Sequence, residues 1–347
     1  MKIDHVHFYV EDAKVWRDWF VNYLGFTPIA NGICSFHTRT EAVKSGVVKF
    51  LLSSPLLPTS PVAEFLRQHP PGVADVAFTV ADVETAIAHA QAHGATILQS
   101  LEERQVSNIN YKCSKIAAWG GLTHTLLEKV PSPDEDSVIT SSTNAITAID
   151  HIVLNVAAGD LEAAVTWYQK ILNFQPRQTF KIQTDRSALY SQVMVSRNGA
   201  VQLPINEPAS RNSQIQEFLD VNRGPGIQHI ALQIPNLVSA IAQFRQRGLS
   251  LLTVPQTYYS QLQQRPGLPL SPLELQAIAQ QQILVDWQPN SHPGVLLQIF
   301  TQPIFGQPTF FFEFIERRRQ AQGFGEGNFR ALFEAIESEQ MKRGTLQ

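Results

Sequence analysis

The sequence predicts an α+β protein of two tandem half-open β-barrel domains, each built from two β-α-β-β-β modules, with a helix at the C-terminal end. The first observation behind this is a strand motif that occurs four times. Its copies are Asp4-His5-Val6-His7-Phe8-Tyr9-Val10, Ala74-Asp75-Val76-Ala77-Phe78-Thr79-Val80, Asp150-His151-Ile152-Val153-Leu154-Asn155-Val156 and Gly226-Ile227-Gln228-His229-Ile230-Ala231-Leu232. The second is the alignment of the two halves. Trp19-Phe20 recurs as Trp167-Tyr168, Leu24-Gly25-Phe26 as Leu172-Asn173-Phe174, Pro28 as Pro176, and Gly94 as Gly248. Repeats of this kind mark structural modules. One strand-helix-three-strand unit cannot close a barrel, whereas two can pair into a half-open one.

Taken in order, strand Asp4–Val10 is followed by Asp12, an N-cap residue, and a helical stripe of Trp16, Trp19, Phe20 and Tyr23 that stops at Gly25. The third module repeats the pattern, with Asp160 as cap and Leu161, Ala164, Val165, Tyr168 and Leu172 as stripe. Further strands are expected at Val47–Leu52, Ser191–Val195 and Val295–Phe300. Pro131–Thr147 is rich in Ser, Thr, Asp and Pro and reads as a surface linker. The domains are therefore residues 1–135 and 148–347, with a linker at 136–147. Tyr258–Gln282, with several Pro and Gln, reads as a long excursion. From Gly323 a glycine-rich turn leads into a helix whose stripe is Phe329, Leu332, Phe333 and Ile336.

Composition limits the function. A chain of 347 residues can hold two sizeable cores, and 44% hydrophobic with 16% charged residues fits a globular protein. A formal net charge of -3 offers no polycationic surface, so no nucleic-acid partner is expected. No apolar run reaches the ~18–20 residues of a membrane span, and no signal peptide is visible. Two cysteines, Cys34 and Cys113, suggest neither a metal spacing nor a disulfide framework, so the expected compartment is the reducing cytoplasm.

A single histidine in an aliphatic strand is ordinarily a hydrogen-bonded core residue. The repeat changes that reading. Side chains alternate along a strand, so His151 shares a face with Val153 and Asn155, and His229 takes the equivalent face of the fourth module. If the late modules pair by pseudo-symmetry, both imidazoles enter one barrel mouth. Pro308–Ile315 then supplies Glu313, a carboxylate set among phenylalanines that is costly to bury unpaired. Two His and one carboxylate suit non-haem Fe(II) with O2 and a chelating substrate, though zinc uses the same residue types. In the early half His5 matches His151, but Asp75 stands for His229 and Thr123-His124-Thr125-Leu126-Leu127 has no counterpart of Glu313. The first barrel is therefore expected to serve structure or assembly without metal, with His5 and His7 as core or edge residues.

These modules are similar to the vicinal-oxygen-chelate superfamily, and the later half resembles the 4-hydroxyphenylpyruvate dioxygenase family. The resemblance rests on Asp150-His151-Ile152, Pro204-Ile205-Asn206-Glu207-Pro208, Gln228-His229-Ile230-Ala231-Leu232, Leu297-Gln298-Ile299-Phe300, Glu313 and Gly323-Phe324-Gly325-Glu326-Gly327-Asn328-Phe329-Arg330-Ala331-Leu332-Phe333. It implies Fe(II) held by His151, His229 and Glu313, with Ser191, Asn206, Gln228 and Gln298 acting on the substrate. It also implies a pocket containing Pro204, Gln214, Phe300, Phe311, Asn328, Phe329 and Phe333. The implied reaction turns a 2-oxo acid and O2 into homogentisate and CO2, serving tyrosine catabolism or quinone-precursor supply, in a homodimer or homotetramer. Phe311 and Phe329 would be flat walls for a phenol ring, and the C-terminal helix a lid hinged at Gly323, Gly325 and Gly327. Arg317-Arg318-Arg319 departs from the family pattern. Two alternatives share the scaffold: 4-hydroxymandelate synthase, and a non-catalytic ligand-sequestering protein, which would need no intact triad.

Overall fold

The computed structural model describes residues 1–29, 33–106, 109–130, 146–184, 186–287 and 294–344. The first half runs β1 (Lys2–Tyr9), α1 (Ala13–Leu24), β2 (Thr27–Pro28), β3 (Ile33–Cys34), β4 (Thr38–Ser45), β5 (Val48–Pro55), α2 (Pro61–Gln68), β6 (Gly72–Thr79), α3 (Val83–Ala92), β7 (Ile97–Val106), β8 (Ile109–Ala117) and β9 (Thr123–Val130). The second half opens with β10 (Ala148–Asn155), α4 (Leu161–Leu172), β11 (Gln175–Gln183), β12 (Ala188–Val195), β13 (Gln202–Pro208), α5 (Gln214–Asn222) and β14 (Gly226–Gln233). It continues through α6 (Leu237–Gln246), α7 (Gln256–Gln264), α8 (Pro272–Gln280), β15 (Leu284–Trp287), β16 (Val295–Phe300), β17 (Phe311–Arg318) and α9 (Phe329–Arg343).

Each half is one sheet with the same plan. The strand orders are β2-β4-β5-β1-β6-β9-β8-β7, with β3 on β4, and β11-β12-β13-β10-β14-β17-β16-β15. The opening strands of paired modules lie antiparallel at the centre, β1 against β6 and β10 against β14. The closing strand of each module returns parallel to its opening strand. Among the described strands the outer ones do not pair, so each sheet curls into a half-open barrel.

Local signals explain most helix ends. The Asp12 carboxylate accepts from the Lys14 and Val15 amides, and Gly25 closes α1 at φ 72°. Asp160 stands at the expected cap but makes no side-chain cap bond. Instead Glu207 of β13 accepts from the amides of Gly159 and Leu161 at 2.9 and 3.1 Å. The repeat uses the same device elsewhere: Glu128 of β9 takes the Val83 amide, and Glu316 of β17 takes that of Leu237. A carboxylate at a helix N-terminus is favourable whichever segment supplies it, and a partner strand far along the chain leaves no local signature.

Two expectations change. The excursion contains two helices, α7 and α8, the latter started by a Ser271/Glu274 capping box with Pro272 in its first turn. The predicted linker falls mostly in 131–145, outside the described residues. Its end does not stay on the surface: Ile146 is buried, its amide bonds Ser45 Oγ, and the Thr147 amide joins Gln233 of β14. The side chain of Leu332 also lies outside the described residues.

The two sheets share one apolar core. Phe8 meets Phe310 edge-on with ring centroids 5.2 Å apart, and Phe312 lies 5.8 Å from both Phe20 and Phe50. Alternation along β17 thus sends Phe312 and Phe314 into the core while Phe311 and Glu313 face the other way.

His124 of β9 joins the halves. Its Nδ1–H donates to the Val76 carbonyl at 3.0 Å, so Nε2 accepts from the Tyr168 hydroxyl at 3.1 Å. Burial pushes its pKa down to about 4, against smaller opposing contributions from the Val76 carbonyl and the Asp75 carboxylate. The unfolded chain therefore takes up this proton first as the pH falls. The neutral ring's contribution is complete above the unfolded value of ~6.5 and drains away as the pH drops toward the folded one. Between pH 6.5 and 5 the loss should be about 2 kcal/mol. Urea unfolding at both pH values should show a correspondingly shallower pH dependence in His124→Gln; an unchanged slope would contradict this assignment.

Candidate metal centre and substrate pocket

The site is built on the central pair β10/β14 and on β17. Register pairs Val153 with His229 and His151 with Ala231, while β17 sets Glu313 beside Ala231. Paired residues share a face, so the three side chains converge. His151 Nε2 lies 3.2 Å and His229 Nε2 3.7 Å from Glu313 Oε2, and one ligand atom from each residue falls within 4.8 Å of the others.

Two bulges refine this register. β10 carries Asp150 as an extra residue between Ile149 and His151, and β14 carries Gln228 between Ile227 and His229. A bulge re-aims side chains that simple alternation would send apart. Asp150 Oδ1 thereby accepts from His151 Nδ1 at 2.9 Å, and Gln228 joins His229 on the pocket wall. The Asp150–His151 bond presents Nε2 to the centre, the usual support for a metal-ligating imidazole. His229 stacks on Phe311 with ring centroids 4.8 Å apart, and its Nδ1 is buried without a hydrogen-bond partner.

Electrostatics follow from burial and charge. Burial disfavours a charged His151, but the Glu313 and Asp150 carboxylates outweigh it and raise the pKa to about 9. His229, penalised by burial and then by the charge of His151, is held well below the ordinary value. Burial would raise the Asp150 carboxyl, yet hydrogen bonds from Arg317 and His151 keep it well below the usual range. The two imidazoles are thus pushed in opposite directions, His151 up and His229 down. A divalent cation held here would use both imidazoles neutral. The donor set and its spacing fit a two-histidine, one-carboxylate centre.

Glu313 is tied to the C-terminal segment as well. Gln298 Nε2 donates to Glu313 Oε1 at 2.9 Å and to the Phe324 carbonyl at 3.0 Å, while Gln298 Oε1 accepts from Asn328 Nδ2 at 2.9 Å. Gly325, at φ +78°, lies against this amide so closely that an added Cβ would stand 1.9 Å from Oε1.

The pocket over the triad measures about 700 Å³ including its mouth. Every site residue expected from the sequence lines it. β12 and β13 give Ser191, Pro204 and Asn206; α5 gives Gln214; the β14 bulge gives Gln228; β16 and β17 give Gln298, Phe300 and Phe311; α9 and the turn before it give Asn328, Phe329 and Phe333. Sequence reasoning missed Ile182, Leu189, Val193 and Ile215, ordinary aliphatic residues with no distinguishing local signal, while Val153 on the His151 face and Ile336 on the C-terminal stripe were placed without being assigned to the pocket. It also gave no role to Phe180, which meets Phe329 edge-on at 5.2 Å, or to Phe324, edge-on to His151 at 5.2 Å. No lysine or arginine is among the described lining residues.

The first barrel repeats the frame but not the centre. His5 pairs with Ala77 and His7 with Asp75, so Asp75 occupies the His229 position. By the β6/β9 register, Thr125 occupies that of Glu313. His7 Nε2 bonds Ser53 Oγ at 2.7 Å and His5 Nδ1 bonds Asp4 at 2.8 Å. Among the described residues, His151, His229 and Glu313 form the one cluster able to hold a metal ion.

The family described as the Glyoxalase/Bleomycin resistance protein/Dioxygenase superfamily matches residues 148–265, and a second family of the same description matches 4–109. The chain is a two-domain member of that superfamily. A 4-hydroxyphenylpyruvate dioxygenase of Caenorhabditis briggsae is 38% identical over 368 residues, covering 99% of this chain and 93% of the relative. That of Caenorhabditis elegans is 37% identical, with 99% and 93% covered. A solved triple mutant of 4-hydroxymandelate synthase from Streptomyces coelicolor superimposes with a TM-score of 0.86 at 26% identity, covering 98% of both chains. The chain belongs to the 4-hydroxyphenylpyruvate dioxygenase family.

Proposed function

We propose that the protein converts 4-hydroxyphenylpyruvate and O2 to homogentisate and CO2 with Fe(II) held by His151, His229 and Glu313. The observation that carries this reading is the convergence of those three side chains, His151 and Glu313 buried and His229 half-buried, at the base of an apolar, amide-studded pocket beneath a helix. Bound there, iron would supply O2 activation and a chelation point for a 2-oxo acid.

The chain's own residues do the rest. With no basic side chain among the described lining residues, the substrate carboxylate finds its positive charge only at the metal, which turns the keto acid inward. Phe311 and Phe329 provide walls for the ring, worth roughly 0.5–1.5 kcal/mol per aromatic pair beyond burial. Ser191, Asn206, Gln214 and Gln228 offer polar partners for the phenol oxygen and hold the ring's orientation. Gln298 acts differently: its amide is engaged by Glu313, Phe324 and Asn328, so its role is to hold ligand and lid together.

The helix α9 excludes water. Phe333 packs with Leu189, Ile215, Phe218 and Leu219, and Glu337 accepts from Thr184 and Ser187 hydroxyls, both at 2.6 Å. Phe333→Ala should loosen this cover and lower the homogentisate formed per O2 consumed; a wild-type ratio would remove α9 from the coupling of O2 use to product. The first barrel, lacking the triad, serves structure and assembly in a homodimer or homotetramer; light scattering reads that state. Among the described residues no helix is long and apolar enough to cross a membrane, and the reading carries a cytoplasmic location.

The test is incubation of the Fe(II)-loaded protein with 4-hydroxyphenylpyruvate while O2 uptake is followed, with the product identified by NMR and mass. Homogentisate is the expected product. 4-Hydroxymandelate would transfer the chain to the second reading, favoured by the superposition with 4-hydroxymandelate synthase. Binding of the keto acid without O2 uptake would favour a ligand-sequestering protein.

A further inference from the structure

Arg317 lies on β17, four residues beyond Glu313, and each arm of its guanidinium is occupied. Nε and Nη2 form a fork on the Asp150 carboxylate at 2.6 and 2.8 Å. Nη1 donates to the carbonyls of Ala321 and Gly323 at 3.1 and 2.9 Å. Asp150 in turn holds His151 Nδ1. One planar cation therefore touches, on one edge, the carboxylate that orients a metal ligand and, on the other, the turn from which the lid departs.

The turn is built to reach back. Arg319 and Gln320 both adopt positive φ, 52° and 57°, a conformation that non-glycine residues rarely take in succession. It returns the chain so that residues 321 and 323 face Arg317. Two carbonyls aimed at one guanidinium hold this conformation in place.

The first barrel serves as an internal control. There Asp4 repeats the bond to His5, but the β6/β9 register puts Lys129 where β17 has Arg317. The nearest cation to Asp4 is Lys49, 3.8 Å away, a point charge with no fork. Among the described residues, the barrel without the triad thus has no such fork on Asp4.

We propose that Arg317 is a positioning residue that couples the conformation of the 319–323 turn to the orientation of His151 through Asp150. The proposal rests on the reading of His151, His229 and Glu313 as a metal centre. Because coupling is reciprocal, metal binding steadies the turn, and the closed turn tightens metal binding by the same factor. A lysine could keep the charge but could not hold a carboxylate fork and two carbonyls together.

The test uses Co(II) as probe on the full chain, in the wild type and in Arg317→Met, Arg317→Lys and Asp150→Asn. Affinity is read by chelator competition, and amide hydrogen exchange at residues 321–328 is followed with and without Co(II). In the wild type, Co(II) should slow exchange in this segment. Arg317→Met should weaken Co(II) binding by roughly 10–100-fold, the usual effect of losing an outer partner of a ligand, and should abolish the slowing. Arg317→Lys should recover part of the affinity without the slowing, and it keeps the test informative if the methionine variant does not fold. Asp150→Asn should lose both. Slowing that persists in either Arg317 variant overturns the coupling, as does wild-type affinity in Arg317→Met. Failure of the wild type to bind Co(II) would instead defeat the metal-centre reading beneath it.

Discussion

Glu313→Ala is expected to lose bound metal and lower turnover by roughly 10³-fold or more, since a metal contributes several kcal/mol of charge stabilisation and each ~1.4 kcal/mol is tenfold. The fold should survive. Thr125 stands at the matching position of the first barrel, whose sheet has the same strand plan without a carboxylate there. The substitution leaves the Gln298 amide its Phe324 acceptor, so the segment before α9 keeps one of its ties. Metal content, O2 uptake and far-UV circular dichroism measured on one preparation would decide it. A stoichiometric metal with undiminished turnover would remove Glu313 from the centre.

Gly325→Ala should have the next largest effect, although residue 325 supplies no ligand. Its φ of +78° makes any side chain there strained, by about 1–2 kcal/mol, and the new Cβ would collide with Gln298 Oε1. Gln298 must then move, releasing Glu313 Oε1, the Phe324 carbonyl and Asn328 Nδ2 together. Metal affinity should fall by roughly 10–100-fold, and homogentisate per O2 should drop with it. Gln298→Leu should reproduce both losses without backbone strain. Because the two changes act on one network, the double variant should be little worse than the more severe single one. An affinity in Gly325→Ala equal to wild type would mean that Gln298 does not transmit the position of the 324–328 segment to Glu313.

The site's outline was legible because its carriers repeat. His151 and His229 stand at equivalent points of a fourfold motif, and Glu313 is conspicuous among phenylalanines. The amides and aromatics of the pocket came from motifs that resemble a known family, a different kind of signal from spacing. The early half was read as lacking the triad, and the structure places Asp75 and Thr125 at the positions in question. Asp150 was quoted only as part of a motif, and Arg317 stood in a run that matched no pattern. Their meeting depends on β10 and β17, which are distant in the chain and are not neighbours in the sheet. The supports of helices α4 and α6 by Glu207 and Glu316 were hidden for the same reason.

Alternation of side chains and helical spacing are properties of adjacent residues, so the recurring strands, the helices that follow them, the matching of modules and the two histidine positions could be read directly from the amino-acid order, whereas α2, α5, α7 and α8 were not. Which atoms touch is another matter. The extra residues Asp150 and Gln228 each shift a strand by one place, and only the pairing of β10 with β14 shows which residue is extra. Whether Gln298 points at open pocket or at Glu313, and whether Arg317 is one more surface cation or bonds both Asp150 and the 321–323 turn, depended on segments that meet only after both sheets have curled. Such contacts are chosen by distance and hydrogen-bond geometry in three dimensions, and the order of residues along the chain carries no record of them.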